Sequence, residues 1–440
     1  MEKESNQTDA TAEMLERWCS APGFQFTCPE AEEAYKKRAK RIADVIQLKV
    51  PDRVPIVPAF GMFPYLDNGF TCQEVFFDPQ KAREAWLKTA TEFEPDAFSS
   101  TLLNGTFFEE MGYRQLRLPG RGVPATSIFQ FVEEEYVKAE EFYDSFLNDP
   151  SDFLWRIYLP RVCGMLEPLA KFPPLNQSFG YYLGLTSTLS AFGKPEIAGA
   201  FEALCKSAAR AVQWNEAVAA TSREIGSLGF PSAMGGGTHA PFDTIGDFLR
   251  GTRGIMLDIR RNPDKLLQAM EKLVPIHIEI GLRAKQSGNP VVSIPLHKGA
   301  EGFMSAEQYK TFYWPTLRKV IMGLINEGLV PRLFFEGENT SRLEIIKDIP
   351  KGRAIYWFEK VDLHRAKEVL GDTVCFKGNV PVSLLAVGSP EDVKAYVKNL
   401  IDIVGNDGGL IVDCGALFDE ARHENVKAMV DTTKEYGVYG

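Results

Sequence analysis

Short apolar runs recur along this chain, and each ends in polar or glycine-rich residues before a helical pattern begins. Runs that are rich in β-branched and aromatic residues and end in this way are typical of buried strands. Nine runs fit the description: 54–60, 96–101, 178–186, 225–241, 291–299, 329–337, 353–360, 374–379 and 409–415.

Buried strands that alternate with helices predict a parallel sheet covered by helices. Eight or so such repeats favour a closed (β/α)8 TIM barrel over an open doubly wound sheet. The chain also lacks the GxGxxG fingerprint and the P-loop that open nucleotide-binding sheets often carry. We therefore predict an α/β protein with a single (β/α)8 barrel domain.

Two segments lie outside the barrel pattern. Residues 1–48 are interpreted as an N-terminal extension, with a loose tail up to about Phe24 and then a helix, and residues 49–440 as the barrel. A helical insertion is expected at about 127–175, where the acidic and aromatic stretch 127–162 is predicted to be helical and to lie over the barrel mouth. Its carboxylate run, Glu133 to Glu135, is interpreted as a solvated helix face.

Composition narrows the class of partner. The net charge of -10 and the pI near 5.3 argue against a nucleic-acid or anionic-membrane partner, because such surfaces need clustered Lys and Arg. A polar N-terminus and the lack of a bilayer-length apolar run predict a cytoplasmic protein that acts on a small molecule or another protein. The seven cysteines are scattered without a C-x-x-C pair, so neither a disulfide framework nor a zinc ribbon is predicted.

Candidate functional residues follow from the barrel prediction, since reactive side chains of such barrels lie at the carboxyl ends of the strands. His297 follows an apolar run and is a candidate acid, base or metal ligand, and His239 follows three glycines that let backbone approach a ligand. The remaining candidates at strand ends are Phe60, Ser100, Thr101, Glu336, Glu338, Asn339, Glu359, Asn379, Asp413 and Cys414.

Two roles are possible for Cys414. It is either a small buried residue at a strand end or a thiolate ligand for zinc, with carboxylates from neighbouring strand ends completing the set. Glu359 with Glu336 or Glu338 would supply those carboxylates. Both alternatives stay open from the residues alone.

Several of these strand ends and their neighbours resemble the uroporphyrinogen decarboxylase superfamily, which includes the corrinoid-dependent methyltransferases related to methylcobalamin:coenzyme M methyltransferase. The resemblance runs from about residue 49 to the C-terminus, and it depends on the order and spacing of its pieces. These are KVPDRVP, FLRGTRGIMLDIRRNPDKLLQAM, LVPRLFFEGENTS, GDTVCFKGNVPVSLLAVGSPEDVKAYV and GLIVDCGALFDEARHENVKAMV. The superfamily folds as a (β/α)8 barrel.

The chain departs from both branches of the superfamily. The resemblance implies an arginine motif after the first strand in true decarboxylases, but the equivalent AFGMFPYLDNGF contains no arginine. In the methyltransferase branch it implies a zinc-binding His-x-Cys, where this chain has Phe335 and Gly337, and a second cysteine, which Cys414 matches. Glu359 lies near the position of a carboxylate ligand in that branch.

The resemblance therefore implies a methyltransferase that moves a methyl group between a cobalamin-binding corrinoid protein and a small acceptor or donor. Tetrahydrofolate, a thiol and a methoxylated compound are the candidates. The D-x-H-x-x-G loop of cobalamin carriers is absent, so methylcobalamin is expected on the partner. We assign catalytic roles to Glu336, Glu338, His297 and Asn339, substrate binding to Phe60, His239, Asn379 and Asp413, and the metal alternative to Cys414 and Glu359.

Two further hypotheses remain. One is a decarboxylase of a uroporphyrinogen-like or smaller carboxylate substrate. The other is a non-catalytic binding module on the same fold.

Overall fold

The computed structural model describes residues 2–178 and 182–440. Its strands are β1 Leu116–Pro119, β2 Gly122–Val123, β3 Gln130–Phe131, β4 Gly236–Gly237, β5 Val291–Leu296, β6 Val330–Glu338, β7 Ile355–Lys360, β8 Cys375–Lys377 and β9 Leu410–Ile411. The strands form a six-stranded parallel sheet in the order β4-β5-β6-β7-β8-β9 and a small three-stranded sheet in the order β2-β1-β3.

Helices surround the larger sheet on its outer side. The α-helices are α1 Glu2–Ser20, α2 Pro29–Ile46, α3 Phe63–Asp67, α4 Cys72–Phe77, α5 Pro79–Phe93, α6 Gly105–Met111, α7 Ala139–Asn148, α8 Pro150–Phe153, α9 Leu159–Val162, α10 Tyr182–Leu189, α11 Pro195–Ser227, α12 Pro241–Ile245, α13 Gly251–Arg261, α14 Pro263–Leu282, α15 Ala306–Gln308, α16 Trp314–Asn326, α17 Leu343–Ile346, α18 Leu363–Leu370, α19 Val382–Val387, α20 Pro390–Leu400 and α21 His423–Tyr436. Short 3-10 or π-helical turns lie at Leu154–Tyr158, Gly164–Lys171, Leu175–Ser178, Ser190–Gly193, Gly246–Arg250, Arg283–Ser287, Tyr309–Tyr313, Thr340–Arg342 and Ile401–Gly405.

Single parallel bridges close the sheet into a ring. Segment 54–60 pairs with the end of β9 through Ile56 and Val412, and with segment 96–101 through Phe60 and Ser100. Segment 96–101 pairs in turn with Ser232, which precedes β4 in the chain. Eight parallel segments therefore make a closed ring, and the predicted (β/α)8 barrel is confirmed.

One of the nine predicted strands is wrong. Within 178–186, residues 179–181 lie outside the described part of the chain, Ser178 ends a 3-10 turn, and residues 182–186 belong to helix α10. An apolar run by itself does not distinguish a strand from a helix. This run lies in the long connection between the second and third barrel segments, where Tyr182 and Leu183 are exposed.

The N-terminal residues are helical, so the prediction of a loose tail is also wrong. Leu15 and Trp18, three residues apart on α1, are buried beside residues of α2. The same apolar cluster contains Val291 and Val330 from the first positions of two barrel strands. Helices α1 and α2 therefore cover the end of the barrel opposite the mouth.

The acidic stretch 127–162 is helical only from α7 onward. Its first part is extended, and β3 pairs antiparallel with β1. Glu133 and Glu135 therefore do not lie on a helix face. Each forms an ion pair, Glu133 with Lys298 and Glu135 with Arg250. Lys298 lies in the loop after β5, and the stretch therefore reaches the rim of the barrel.

Within the described residues, no helix combines the length and apolar character that a membrane crossing requires.

Candidate active site

His297 lies at the carboxyl end of β5, between two carboxylates. Its Nδ1 is 2.6 Å from Oδ2 of Asp247, and its Nε2 is 3.5 Å from Oε1 of Glu336 at the end of β6. The side chain of Asp247 is almost fully buried, whereas those of His297 and Glu336 are 35% and 40% exposed. The buried Asp247 thus holds the imidazole at Nδ1, and the Nε2 side of the ring faces the mouth of the barrel.

Electrostatics keep this imidazole protonated at neutral pH. Burial disfavours the charged ring, but the hydrogen bond to Asp247 and the charges of Asp243, Asp247 and Glu336 outweigh it and raise the pKa of His297 to about 9. Burial also raises the pKa of Glu336, against the opposing effect of the His297 charge. A charged imidazole with a raised pKa is suited to donate a proton at the mouth.

Asp243 fixes the backbone that carries the histidine. One carboxylate oxygen accepts the backbone N–H of His297 at 2.9 Å and the hydroxyl of Tyr313 at 2.6 Å, and the other accepts the backbone N–H of Lys298 at 3.0 Å. Complete burial and the nearby charge of Asp247 raise the pKa of Asp243 to about 6. Asp243 is therefore a positioning residue that touches no open space.

A β-bulge aims Glu336 into the mouth. The register between β6 and β7 shifts between Phe335 and Glu338, and Gly337 adopts a φ of 68° there. The backbone N–H of Gly337 donates to Oε2 of Glu359 at 2.7 Å. Such a bulge adds a residue to one strand and redirects the side chains on either side of it.

The other two predicted catalytic residues on β6 lie differently. Glu338 is exposed, and its Oε1 accepts the backbone N–H of Thr340 at 3.0 Å, as a cap of the turn that follows the strand. Asn339 is buried, and its amide donates to the carbonyl oxygens of Glu336 and Gly337 at 2.9 and 3.1 Å. Both side chains hold the shape of the strand end, whereas Glu336 faces the mouth.

The predicted substrate-binding residues do not form one group. Phe60 is fully buried among aromatic rings, Asn379 is 6% exposed and accepts the hydroxyl of Tyr396, and Asp413 is buried in contact with Lys377. His239 lies closer to the site, since the charge of His297 contributes to lowering its pKa after the larger effect of burial. Among these four residues, only His239 is partly exposed.

The predicted metal ligands do not converge. The thiol of Cys414 is buried, with Sγ 3.9 Å from Sδ of Met429 on α21, and burial raises its pKa well above the ordinary range. Within the described part of the chain, the only group of three donors close enough to share an ion is Asp67, Glu92 and His423, which excludes Cys414 and Glu359. The predicted donor set therefore does not fit zinc.

Four residues that the sequence did not reveal complete the site. Asp243 and Asp247 come from α12 and the turn after it, Lys298 follows His297, and Glu133 comes from the stretch before α7. The ammonium of Lys298 contacts Glu133 at 2.6 Å and Asp247 at 3.1 Å. The only sequence signal for the two aspartates was their place in the loop region after the third barrel segment.

Comparisons with known proteins agree with the fold. The sequence model of the uroporphyrinogen decarboxylase (URO-D) family matches residues 200–436, which is more than half of the chain. The chain therefore belongs to the uroporphyrinogen decarboxylase family, and the resemblance to that superfamily is confirmed.

Individual relatives are distant. A uroporphyrinogen decarboxylase from Aromatoleum aromaticum is 28% identical over 140 residues, which is 31% of this chain and 38% of the relative. One from Alcanivorax borkumensis is 27% identical over 177 residues, 39% of this chain and 47% of the relative. The matched region thus spans less than half of these curated relatives.

A solved structure with the same fold is a methyltransferase from Methanosarcina mazei. The two structures superpose with a TM-score of 0.59 over 92% of this chain and 98% of the other, at 16% sequence identity. Likeness at that identity establishes the shared architecture and no more.

Proposed function

We propose that this protein is a methyltransferase that moves a methyl group between a corrinoid carried by a partner protein and a small oxygen- or nitrogen-bearing compound. The family and the fold support an enzyme with a methyltransferase or decarboxylase-like role. The observation that carries the choice is the imidazole of His297, held between Asp247 and Glu336 with a pKa raised to about 9.

Because its pKa is raised, the imidazole of His297 is protonated at neutral pH and is suited to donate a proton rather than to accept one. When a methyl group leaves an ether oxygen or an amine nitrogen, the electron pair of the broken bond stays on that atom, which then needs a proton. A corrinoid bound to the partner would supply the electron pair for the new bond to the methyl carbon. His297 at its Nε2 can supply the proton, and the neutral ring that remains keeps its Nδ1–H directed at Asp247.

This assignment favours a methyl donor that leaves as an alcohol, a phenol or an amine. Methoxylated compounds and N5-methylated tetrahydrofolate both satisfy it. A thiol activated by zinc fits less well, because the buried thiol of Cys414 faces Met429 and lies apart from the carboxylates at the mouth.

The test is a pair of histidine variants. H297Q keeps a hydrogen-bonding side chain but has no proton to donate, and we expect kcat for methyl transfer to fall by about 10²- to 10⁴-fold. The visible spectrum of the corrinoid protein, followed with methoxylated and N-methylated donors, measures the transfer. H364Q changes an exposed histidine of α18 and should leave the rate unchanged. Equal rates for H297Q and the wild type would refute the role of His297.

Decarboxylation is the second candidate, because the family match favours it. The mouth presents Glu336 and Glu359, so a substrate with many carboxylates would be repelled there. A small acid with one carboxylate would be repelled less. Release of carbon dioxide from such an acid, with no methyl transfer to a corrinoid protein, would support this candidate over the first.

A further inference from the structure

Arg332 lies on β6, four residues before Glu336, and points into the barrel. One terminal nitrogen of its guanidinium is 3.1 Å from the hydroxyl of Ser293 and 3.3 Å from the sulfur of Met234. The other donates to the carbonyl oxygen of Ala233 at 3.4 Å, and the guanidinium carbon is 5.9 Å from the centre of the Trp357 ring. The residue is only 6% exposed.

The charge of this arginine has no counterion. No carboxylate of the described residues forms an ion pair with Arg332, and its Nε is buried without a hydrogen-bond partner. The nearby cation of Lys377 differs, because it contacts the carboxylate of Asp413. Burial lowers the pKa of Arg332 to about 10, which still leaves the guanidinium charged at neutral pH. An unpaired buried charge is costly, and proteins rarely keep one without a use for it.

Several residues beside and beyond Arg332 are partly accessible. Met234 is 38% exposed, and Ser293 and Pro295, on the inner side of β5, are partly exposed. His297 lies on the same side of β5, four residues beyond Ser293, so the two levels are about 13 Å apart along the strand. The partly exposed Pro295 lies between these two levels on the inner side of β5.

We propose that Arg332 and Ser293 bind the carboxylate of an elongated monoanionic ligand whose other end lies beside His297. The guanidinium supplies the unused Nε–H and a terminal N–H, which match the two oxygens of a carboxylate. The proposal that Arg332 binds an anion depends only on the geometry around Arg332. The proposal that the other end of the ligand reacts beside His297 rests on the proposed function.

A carboxylate fits this site better than a phosphate. Arg332 offers one uncompensated positive charge, and Lys377 is already paired with Asp413. A singly charged carboxylate neutralises Arg332, whereas a phosphate dianion would leave one negative charge buried without a partner. The acidic groups at the mouth also disfavour a second negative charge on the ligand.

Acetate is the probe for this site, because it is a small monocarboxylate and its use does not depend on knowing the natural ligand. We expect the wild-type protein to show a saturable rise in Tm with sodium acetate beyond that with equal sodium chloride, and acetate binding by calorimetry. Inorganic phosphate is tested in the same way and should give a smaller rise in Tm than acetate. A phosphate shift larger than that of acetate would overturn the assignment to a carboxylate.

Variants of Arg332 separate binding from structure. R332M and R332Q should weaken acetate binding about tenfold or more, because charge-assisted hydrogen bonds are lost. R332M should not lower the Tm of the free protein, since it removes an unpaired buried charge. K377M is the matched control and should lower the Tm, because it leaves Asp413 without its partner.

The outcomes distinguish the two proposals. Acetate binding that is equal in the wild type and R332M, or that is absent from the wild type, would refute the anion site. Neither measurement involves a corrinoid or a methyl group. The anion site can therefore hold when methyl transfer fails, and methyl transfer can hold when the anion site fails.

Discussion

At the scale of single residues, His297 depends on groups that do not react themselves. Asp247 and Glu336 contact the two ring nitrogens, and Asp243 holds the backbone on which the ring is mounted. Because the folded protein raises the pKa of His297 from 6.5 to about 9, protonation of the ring stabilises the fold. This contribution is fully present below pH 6.5 and is lost as the pH rises through about 9.

The pH dependence of activity tests this arrangement. We expect methyl transfer by the wild type to decline as the pH rises through about 9, because the proton donor is lost. D247N removes the negative charge beside Nδ1, lowers the pKa of His297, and should move the decline to lower pH. D264N, at an exposed position of α14, should keep the wild-type profile. An unchanged profile in D247N would show that another group limits the rate.

At the scale of elements, the end of β6 determines which carboxylate faces the mouth. Glu336 and Glu338 are two residues apart and would share one face of a regular strand. The bulge at Gly337 ends that regularity, so Glu336 reaches His297 while Glu338 caps the following turn. The positive φ of Gly337 is what permits the bulge.

A glycine substitution tests the bulge. An alanine at position 337 would have to adopt a φ of 68°, and its Cβ would lie 3.1 Å from Cβ of Ala300. G337A should therefore lower the free energy of unfolding by about 1 to 3 kcal/mol, and should slow methyl transfer by displacing Glu336. Urea unfolding and the corrinoid assay measure the two effects.

Gly302, in the neighbouring loop, provides the control for this variant. A Cβ at that position would meet no atom within 4 Å, so G302A should unfold like the wild type. If G337A were as stable and as active as G302A, the bulge would not require a glycine.

At the scale of the whole molecule, a buried ion-pair cluster joins parts that are distant in the sequence. Asp96, at the start of the second barrel segment, is fully buried and pairs with Arg41 of α2 and Arg53 before the first segment. Its Oδ2 also accepts the backbone N–H of Ile56 at 2.8 Å. One carboxylate thus ties the covering helix to the two barrel segments that pair only through single bridges.

Removal of that carboxylate should weaken the closed barrel. D96A leaves two arginines without their shared partner, and we expect the free energy of unfolding to fall by about 3 to 5 kcal/mol. Chemical denaturation followed by circular dichroism measures the change. E32A removes a half-exposed partner of Lys36 on the same helix α2 and should be hard to distinguish from the wild type. Similar stability of both variants would show that the cluster does not hold the barrel together.

The sequence by itself determined the barrel and part of its rim. Eight of the nine predicted strands belong to the ring, because strand pattern and strand ends are local properties of the chain. The same local signals identified His297 and Glu336 at neighbouring strand ends, which the structure brings together. Local signals failed at 178–186, where apolar residues are exposed on a helix, and at the N-terminal tail, where apolar residues on α1 pack against residues far away in the sequence.

Only the tertiary structure decided what surrounds these two residues. Asp247 and Glu133 approach His297 and Lys298 from 50 and 165 residues away, and no local pattern encodes such distances. Arg332 was part of an apolar strand in the sequence, and only its inward direction and its lack of a counterion identify it as a site. Cys414 matched a ligand position in sequence, yet its strand turns the thiol toward α21. Side-chain direction and charge pairing depend on closure of the ring, and closure is a property of the whole chain.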